Sequence, residues 1–436
     1  MEKDRQKELQ ETLLGIGADK KPFEPEHYTK LTMQDMILLH HMAAVFMQNN
    51  TKNARQKLFF AQRMAFFENH ILLKLWALPE CFVLAKKSNQ ALYTEKNPKS
   101  EDTQIFVFST REAADTAMKK IPGQEKELEV KTIPHGQFPP FYLNLFSRGV
   151  TAIVIDRGQT VIGVPLYAVC SRLKEEFVLE QSRPAVRLWI KKEIYMLYST
   201  LTKLPYVECD SETFDDQVFV YGTKAAAEAA IKALEEKNIP VYCEQLLNKA
   251  FHKNFFELYL MGVNAIKTEN DGVIQIANLV PKPDYTKLPE EKQPILNPEL
   301  LLTAVYICQE ERRPGSDKDT DELKQMKEEL FAHLKESRLA MPAFVIKSEE
   351  NPGQVHFPIV TLQNGERYCP VFTDIQTAKA FEKKEEERLK NSEEEKPEYR
   401  YMKMYFDKIL QALPKNIQGV IINPNTINLM MRKTEG

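Results

Sequence analysis

Apolar positions along this chain follow two rhythms. Between residues 28 and 76 they recur every three or four positions, in LTMQDMILLHHMAAVFMQNN and again from Ala54 to Trp76, which predicts two long helices. Farther on, short β-branched and aromatic runs such as QIFVF and QVFVY are followed by stretches with helical spacing, as at Ala113, Ala117 and Ile121. The pattern reads helix, strand, strand, helix, strand, helix, strand, strand. Mixed strand order with interspersed helices predicts a mixed α/β (α+β) fold. Residues 1–25 are expected to form a frayed leader ahead of the added N-terminal helices.

The pattern repeats. QIFVFSTREAADTAMK at 104–119 matches QVFVYGTKAAAEAAIK at 217–232, an offset of 113, with eight identities: Gln104, Phe106, Val107, Thr110, Ala113, Ala114, Ala117 and Lys119. The same offset aligns LFSRGVTAI at 145–153 with LYLMGVNAI at 258–266. A third copy is legible at 367–384, RYCPVFTDIQTAKAFEKK, where Val371-Phe372-Thr373 stand in the place of Val107-Phe108-Ser109. Three dipeptides, Leu78-Pro79, Leu204-Pro205 and Met341-Pro342, are expected to end an amphipathic helix before a strand, because proline pushes its predecessor into extended geometry. HFPIVTLQ and ERYCPVFT flank Asn364-Gly365, a strong hairpin signal. Linkers are expected around Ser171–Pro184 and Pro281–Pro298, the second rich in proline and charge. Three tandem units follow: 1–168 with the extra helices, 169–286 and 287–436.

Composition narrows the function. The 436 residues carry 59 basic and 62 acidic side chains, a net −3, so no general basic field for nucleic acid exists. No apolar run reaches the roughly 18–20 residues of a membrane span, and the charged N-terminus lacks a secretory core. A cytoplasmic protein without nucleic-acid or membrane partners is expected. The six cysteines are scattered outside metal-ligand spacing and are expected to be reduced thiols. The charge-alternating stretches at 317–336 and 382–400 read as solvated surface, and Asp215-Asp216 and Asp317/Asp319/Asp321 as helix-capping or loop acids. Phe138, Phe141 and Tyr142, with Phe251, Phe255, Phe256 and Tyr259, read as core. No P-loop, G-x-G-x-x-G, H-E-x-x-H or G-x-S-x-G motif occurs, and no cofactor or metal site is expected.

One constellation carries possible chemistry. The strand Val371-Phe372 runs into Thr373-Asp374 as a helix begins, and the strand Ile421-Ile422 runs into Asn423-Pro424-Asn425. If the strands are parallel neighbours, Phe372, Thr373, Asp374, Asn423, Pro424 and Asn425 gather at one sheet edge beside a helix N-terminus, where open α/β sheets bind ligands. The corresponding turns Asp156-Arg157-Gly158 and Glu269-Asn270-Asp271-Gly272 read as plain hairpin connections.

GERYCPVFTD at 365–374 and GVIINPNTINLMM at 419–431 resemble the N-terminal domain of the SseB family of bacterial proteins in order and spacing. The resemblance implies an SseB-like fold in the third unit and a bacterial cytosolic setting, and it brings no chemistry with it. The expected function is a non-enzymatic binding or scaffold protein with a protein or peptide partner. The alternative is a small-molecule sensor or enzyme that uses the strand-end pocket of the third unit.

Overall fold

The computed structural model describes residues 2–17, 19–49, 53–100, 102–122, 127–157, 162–172, 183–345, 355–389 and 399–433. The chain divides into two compact units, Met1–Lys192 and Glu193–Gly436.

The first unit opens with helices α1 (Glu2–Leu14), α2 (Pro25–Lys30), α3 (Met33–Asn49) and α4 (Ala54–Trp76). Thr32 and Asp35 start α3 reciprocally: the Asp35 N–H donates to Thr32 Oγ1 at 3.1 Å, and the Thr32 N–H to Asp35 Oδ2 at 3.0 Å. Asn53 caps α4 by accepting from the Gln56 N–H at 3.1 Å. The expected leader is therefore corrected in part. Residues 2–14 are helical because Leu9 and Leu13 have an apolar face to bury, and Arg63 of α4 donates to the Leu13 carbonyl at 2.8 Å.

Next come β1 (Glu80–Lys86), β2 (Thr94–Lys96), β3 (Thr103–Phe108), helix α5 (Arg111–Lys119), β4 (Leu128–Pro134), helix α6 (Phe138–Ser147), β5 (Ala152–Ile155) and β6 (Ile162–Pro165). The sheet order is β4-β1-β3-β5-β6, with β2 beside β3 and with β3 and β5 parallel. Phe82, Leu84, Phe106, Phe108 and Val154 pack under Ala114 and Ala117 of α5, whose small side chains let the helix lie close. Phe138 and Tyr142 of α6 are buried beside Trp76, as core aromatics should be.

The second unit holds two such sheets. β7 (Glu193–Ser199), β8 (Val207–Cys209), β9 (Asp216–Tyr221), β10 (Val241–Leu247), β11 (Ala265–Thr268) and β12 (Gly272–Gln275) are ordered β10-β7-β9-β11-β12, with β8 beside β9. Their register equals that of the first sheet displaced by 113. Glu80 faces Pro134 and Glu193 faces Leu247; Phe82 faces Phe108 and Tyr195 faces Tyr221; Gln104 faces Ala152 and Gln217 faces Ala265.

After the helices Pro298–Arg312 and Asp321–Glu336 come β13 (Arg338–Val345), β14 (Val355–His356), β15 (Val360–Thr361), β16 (Arg367–Val371), β17 (Arg400–Tyr405), β18 (Gly419–Ile422) and β19 (Leu429–Arg432). Reciprocal 2.9 Å bonds between Ala340 and Phe372 join two pieces into the order β17-β13-β16-β18-β19, with β15 beside β16. The first two sheets thus have one short strand each, β2 or β8, beyond the expected element order, and the third has two, β14 beside β13 and β15 beside β16.

The proline dipeptides do three different things. Only Leu78-Pro79 joins a helix to a strand. EIYMLYS forms β7 as a continuous apolar run, buried from Met196 to Ser199 and paired on both sides, so Leu204-Pro205 closes the turn after that strand and Pro205 bridges back to Tyr198. Met341-Pro342 lies inside β13, facing Met402 and Tyr401, where no ladder bond from the proline nitrogen is needed. Asn364-Gly365 does sit in a hairpin: Thr361 faces Arg367, and Gly365 takes the positive φ of +85° that the turn requires. Of the two expected linkers, 173–182 lies outside the described residues. Residues 281–297 hold two single 3-10 turns, Tyr285–Lys287 and Glu290–Lys292, and end with Ile295 buried and Asn297 preceding a helix.

Candidate functional site

β16 and β18 are parallel neighbours, with Val371 beside Ile422. The chain beyond each strand therefore emerges at the same sheet end. The Asn423 N–H extends the ladder by donating to the Val371 carbonyl at 2.9 Å, after which the backbone turns through φ +46° and the side chain folds back. Its Oδ1 accepts from the Thr373 N–H at 3.0 Å and its Nδ2 donates to Thr373 Oγ1 at 2.8 Å. Thr373 Oγ1 in turn donates to Asp374 Oδ2 at 3.1 Å. Asp374 caps the helix Ile375–Leu389, accepting from the Thr377 N–H at 2.8 Å and from the Thr377 hydroxyl at 2.7 Å. Asn297 locks the other side, its Nδ2 donating to the carbonyls of Thr373 at 2.7 Å and Arg338 at 2.9 Å.

The six sequence-derived residues separate into three roles. Thr373, Asp374 and Asn423 are brought together, all buried and bonded to one another. Phe372 is in the core, against Ala340, Ala378 and Phe381. Pro424 is buried, while Asn425 is exposed at φ +74°, its N–H held by Asn428 Oδ1 at 2.8 Å.

The first sheet repeats this clamp with different atoms. Asp156 has φ +46°, its N–H donates to the Val107 carbonyl at 2.9 Å, and its carboxylate accepts from the Ser109 N–H and the Ser109 hydroxyl, both at 2.7 Å. The expectation of a plain hairpin there is corrected. A six-residue connection, 156–161 as in 423–428, leaves room for its first side chain to turn back onto the neighbouring strand end. Burial pushes the Asp156 carboxyl above its ordinary range, opposed by bonds from Ser109 and Gln34. The second sheet has only a three-residue connection, 269–271, and no clamp. There Thr268 Oγ1 accepts from the Asp271 N–H at 3.0 Å in a simple turn, as expected. Asp156 opens the turn that corresponds to Asn423-Pro424-Asn425, and the near-identical shape of Asp and Asn is the sequence signal for the shared clamp.

Beside Asp374 lies a cavity of about 280 Å³ within the second unit. Asp374, Gln376, Thr377, Ala380 and Thr426 form one side, and Tyr198, Lys203, Asn254, Glu257, Met261 and Leu301 the other. Burial raises the Glu257 pKa and the charge of Asp374 adds to the rise, while Lys253 opposes it from 3.6 Å. Lys203 sits at φ +60° in the turn after β7, with its ammonium 5.7 Å from the centre of the Tyr242 ring. Neither Lys203 nor Glu257 was singled out from the sequence, because the turn and helix that carry them meet the third sheet only in the fold.

The other candidates resolve into structure. Asp216 begins β9 and does not cap a helix; it accepts from the Tyr306 hydroxyl at 2.6 Å. Near Asp317 and Asp319, Thr320 is the cap, accepting from the Leu323 N–H at 3.2 Å, and Lys324 pairs with Asp319 at 3.0 Å. Among the described residues no group of three His, Cys, Asp or Glu side chains could hold a metal ion, and no helix is long and apolar enough to cross a membrane. The six cysteines are free: Cys81, Cys170, Cys308 and Cys369 are buried, Cys243 is half-buried and Cys209 is exposed.

Residues 319–432 match the model of the SseB protein N-terminal domain. Two solved structures are similar at low level. One is Anabaena Tic22, described as a protein-transport protein, with 10% identity, a TM-score of 0.16, and 50% of this chain and 98% of that one covered. The other is Tic22 from Plasmodium falciparum, with 12% identity, a TM-score of 0.14, and 52% and 87% covered. No curated protein matches the sequence.

Proposed function

We propose that this chain is a non-enzymatic binding protein of the bacterial cytosol. In this reading it is built from three SseB-like units, spanning 1–168, 169–286 and 287–436, and takes a protein or peptide partner at the strand ends of the third unit. The common strand order and the 113-residue displacement of register support a repeated unit, and the family match over 319–432 supports its kind.

One observation carries the binding reading. The polar side chains that a catalyst would need at the strand ends, Thr373, Asp374 and Asn423, are committed to one another and to a helix cap. They shape a wall, while the cavity beside it offers aliphatic surface from Met261 and Leu301 with polar groups at Gln376, Asn254 and Lys203. That mixture suits a side chain or short segment of a partner. A small-molecule sensor is the second reading, favoured by the cavity's volume of about 280 Å³, which would hold a compact ligand.

A photo-cross-linking residue at Gln376 tests both. A protein adduct in native extract, absent with the same group at Lys232 on the helix Lys224–Glu235, is the expected result. If no protein is captured and a small-molecule fraction of the extract raises the melting temperature of the wild type but not of Gln376→Trp, the sensor reading replaces it.

A further inference from the structure

The second unit holds another cavity, of about 490 Å³, away from the strand ends of the third sheet. Its walls come from the second sheet and from the helices Pro298–Arg312 and Asp321–Glu336. Three carboxylates line it, Asp216, Glu299 and Glu329, against the single ammonium of Lys282. Asp216 Oδ1 accepts from the Tyr306 hydroxyl at 2.6 Å, and its Oδ2 has no hydrogen-bond partner among the described residues. Glu329 lies 3.3 Å from His333 Nε2, and Glu299 has no ion pair among the described residues. Burial raises the Asp216 pKa against the Tyr306 bond, and the charges of Asp215 and Glu329 add to the rise.

A second observation points into the same space. Thr303 lines the cavity and is only 6% exposed, yet its hydroxyl has no hydrogen-bond partner among the described residues. A buried hydroxyl without a bond is costly unless the contents of the cavity supply one. Glu299, Thr303 and Tyr306 are spaced by four and three residues, so they share one face of their helix. Glu299 and Tyr306 stand about 10 Å apart along its axis. Because Tyr306 holds Asp216, the strip has a carboxylate at each end and the unbonded hydroxyl between them.

This spacing selects among cations. Among the described residues no three acidic or other ligating side chains converge enough to hold a metal ion, so one compact cation would answer one end and leave the other. The cavity is also lined by Tyr259, Val263, Val280 and Leu302, which suit methylene groups, and an aromatic face attracts an ammonium. We propose that this cavity binds a linear aliphatic polyamine, with one terminal ammonium at Glu299 and the other at Asp216 and Glu329. A central amine donates to Thr303, and the methylenes lie on Leu302 and Tyr259.

The probe is spermidine, titrated calorimetrically into the full chain and compared with 1,3-diaminopropane, which is too short to reach both ends, and with magnesium ion. Spermidine is expected to bind at least about tenfold tighter than either. Glu299→Gln and Asp216→Asn, which keep side-chain shape, should each weaken it about tenfold with little change in melting temperature. Thr303→Val should weaken it severalfold, and Lys282→Gln should tighten it by removing the opposing charge. Equal affinity for spermidine and 1,3-diaminopropane, or binding undiminished by Glu299→Gln, overturns the proposal. A dilysine peptide that binds about tenfold tighter than spermidine also overturns it, in favour of a basic segment of a partner protein. Gln376→Trp, which fills the other cavity, should leave spermidine binding unchanged, so the two sites fail separately; loss of binding in that variant would move the ligand there and refute the assignment.

Discussion

Asp156 and Asn423 hold the same place in two sheets. Each follows the strand that pairs in parallel, β5 or β18, at φ +46°, each donates its N–H at 2.9 Å to the last valine of the parallel neighbour, Val107 or Val371, and each receives the N–H two residues beyond that valine. The chemistry differs by one group. A carboxylate accepts from both the N–H and the hydroxyl of Ser109, whereas an amide accepts from one group of Thr373 and donates to the other.

Asn423→Ala is expected to destabilise the second unit by about 2–3 kcal/mol, combining an orphaned buried Thr373 N–H with the strain of alanine at positive φ. Asn423→Gly should cost less, since glycine removes the strain but not the lost bonds. Urea midpoints of the two variants check this; equal losses would show that the backbone conformation contributes nothing.

The first sheet gives a pH prediction. Because burial raises the Asp156 pKa, the folded state binds its proton more tightly than the unfolded chain does. That contribution is fully present below the unfolded pKa near 3.8 and is lost as pH rises through the folded value. Asp156→Asn, which reproduces the amide clamp, should therefore be at least as stable as wild type at pH 7, and its advantage should shrink toward pH 4. Melting temperatures across that range decide it, and an advantage that grows on acidification would refute the assignment.

The three helix caps at the ends of β3, β9 and β16 should rank by burial. Thr110 and Thr223 accept single bonds, from the Ala113 N–H at 3.2 Å and the Ala226 N–H at 3.3 Å. Thr223→Ala should cost about 1 kcal/mol. Asp374→Ala should cost about 2 kcal/mol, because it also strands the buried Thr373 hydroxyl. Denaturant titrations that put the two losses level would mean the Thr373 bond contributes nothing.

Thiol chemistry should separate the cysteines. Burial pushes Cys81 and Cys369 up to about 12 and Cys308 to about 11, and Cys170 is raised as well. Cys209 is exposed, but partial burial and the charges of Asp216, Asp210 and Asp215 hold its thiol above the usual range. Native protein should show Cys209 reacting first with a disulfide reagent and faster in high salt, which screens those carboxylates. All six should react after denaturation. A native count above two would contradict the burial of the other four.

Much of this was legible because periodicity survives folding. The repeat at 113 foretold equivalent strands, and Ala54–Trp76 is a helix over the residues its spacing marked. Proline misled where tertiary pairing overrode it. Met341-Pro342 looked like a helix stop, yet β13 runs through it because the strand binds β17 on one side and Phe372 on the other. The meeting of Thr373, Asp374 and Asn423 was readable from strand order, whereas Asn297, Lys203 and Glu257 come to the site from other elements that no local pattern linked to it. Asp156 was visible but misjudged, since a turn-forming residue and a clamp look alike until the backbone conformation is known.

The unequal connections between otherwise matching strands have a practical meaning. Phe82 and Phe108 are separated by 26 positions, as are Tyr195 and Tyr221, while Ala340 and Phe372 are separated by 32. The closing hairpin takes three residues in one sheet and six in the others. The protein thus carries its own record of where length can change without disturbing strand pairing. Epitope tags or fluorescent reporters spliced into the 269–271 turn should leave every sheet intact, whereas the same insert between Ile422 and Asn423 would sever a clamp.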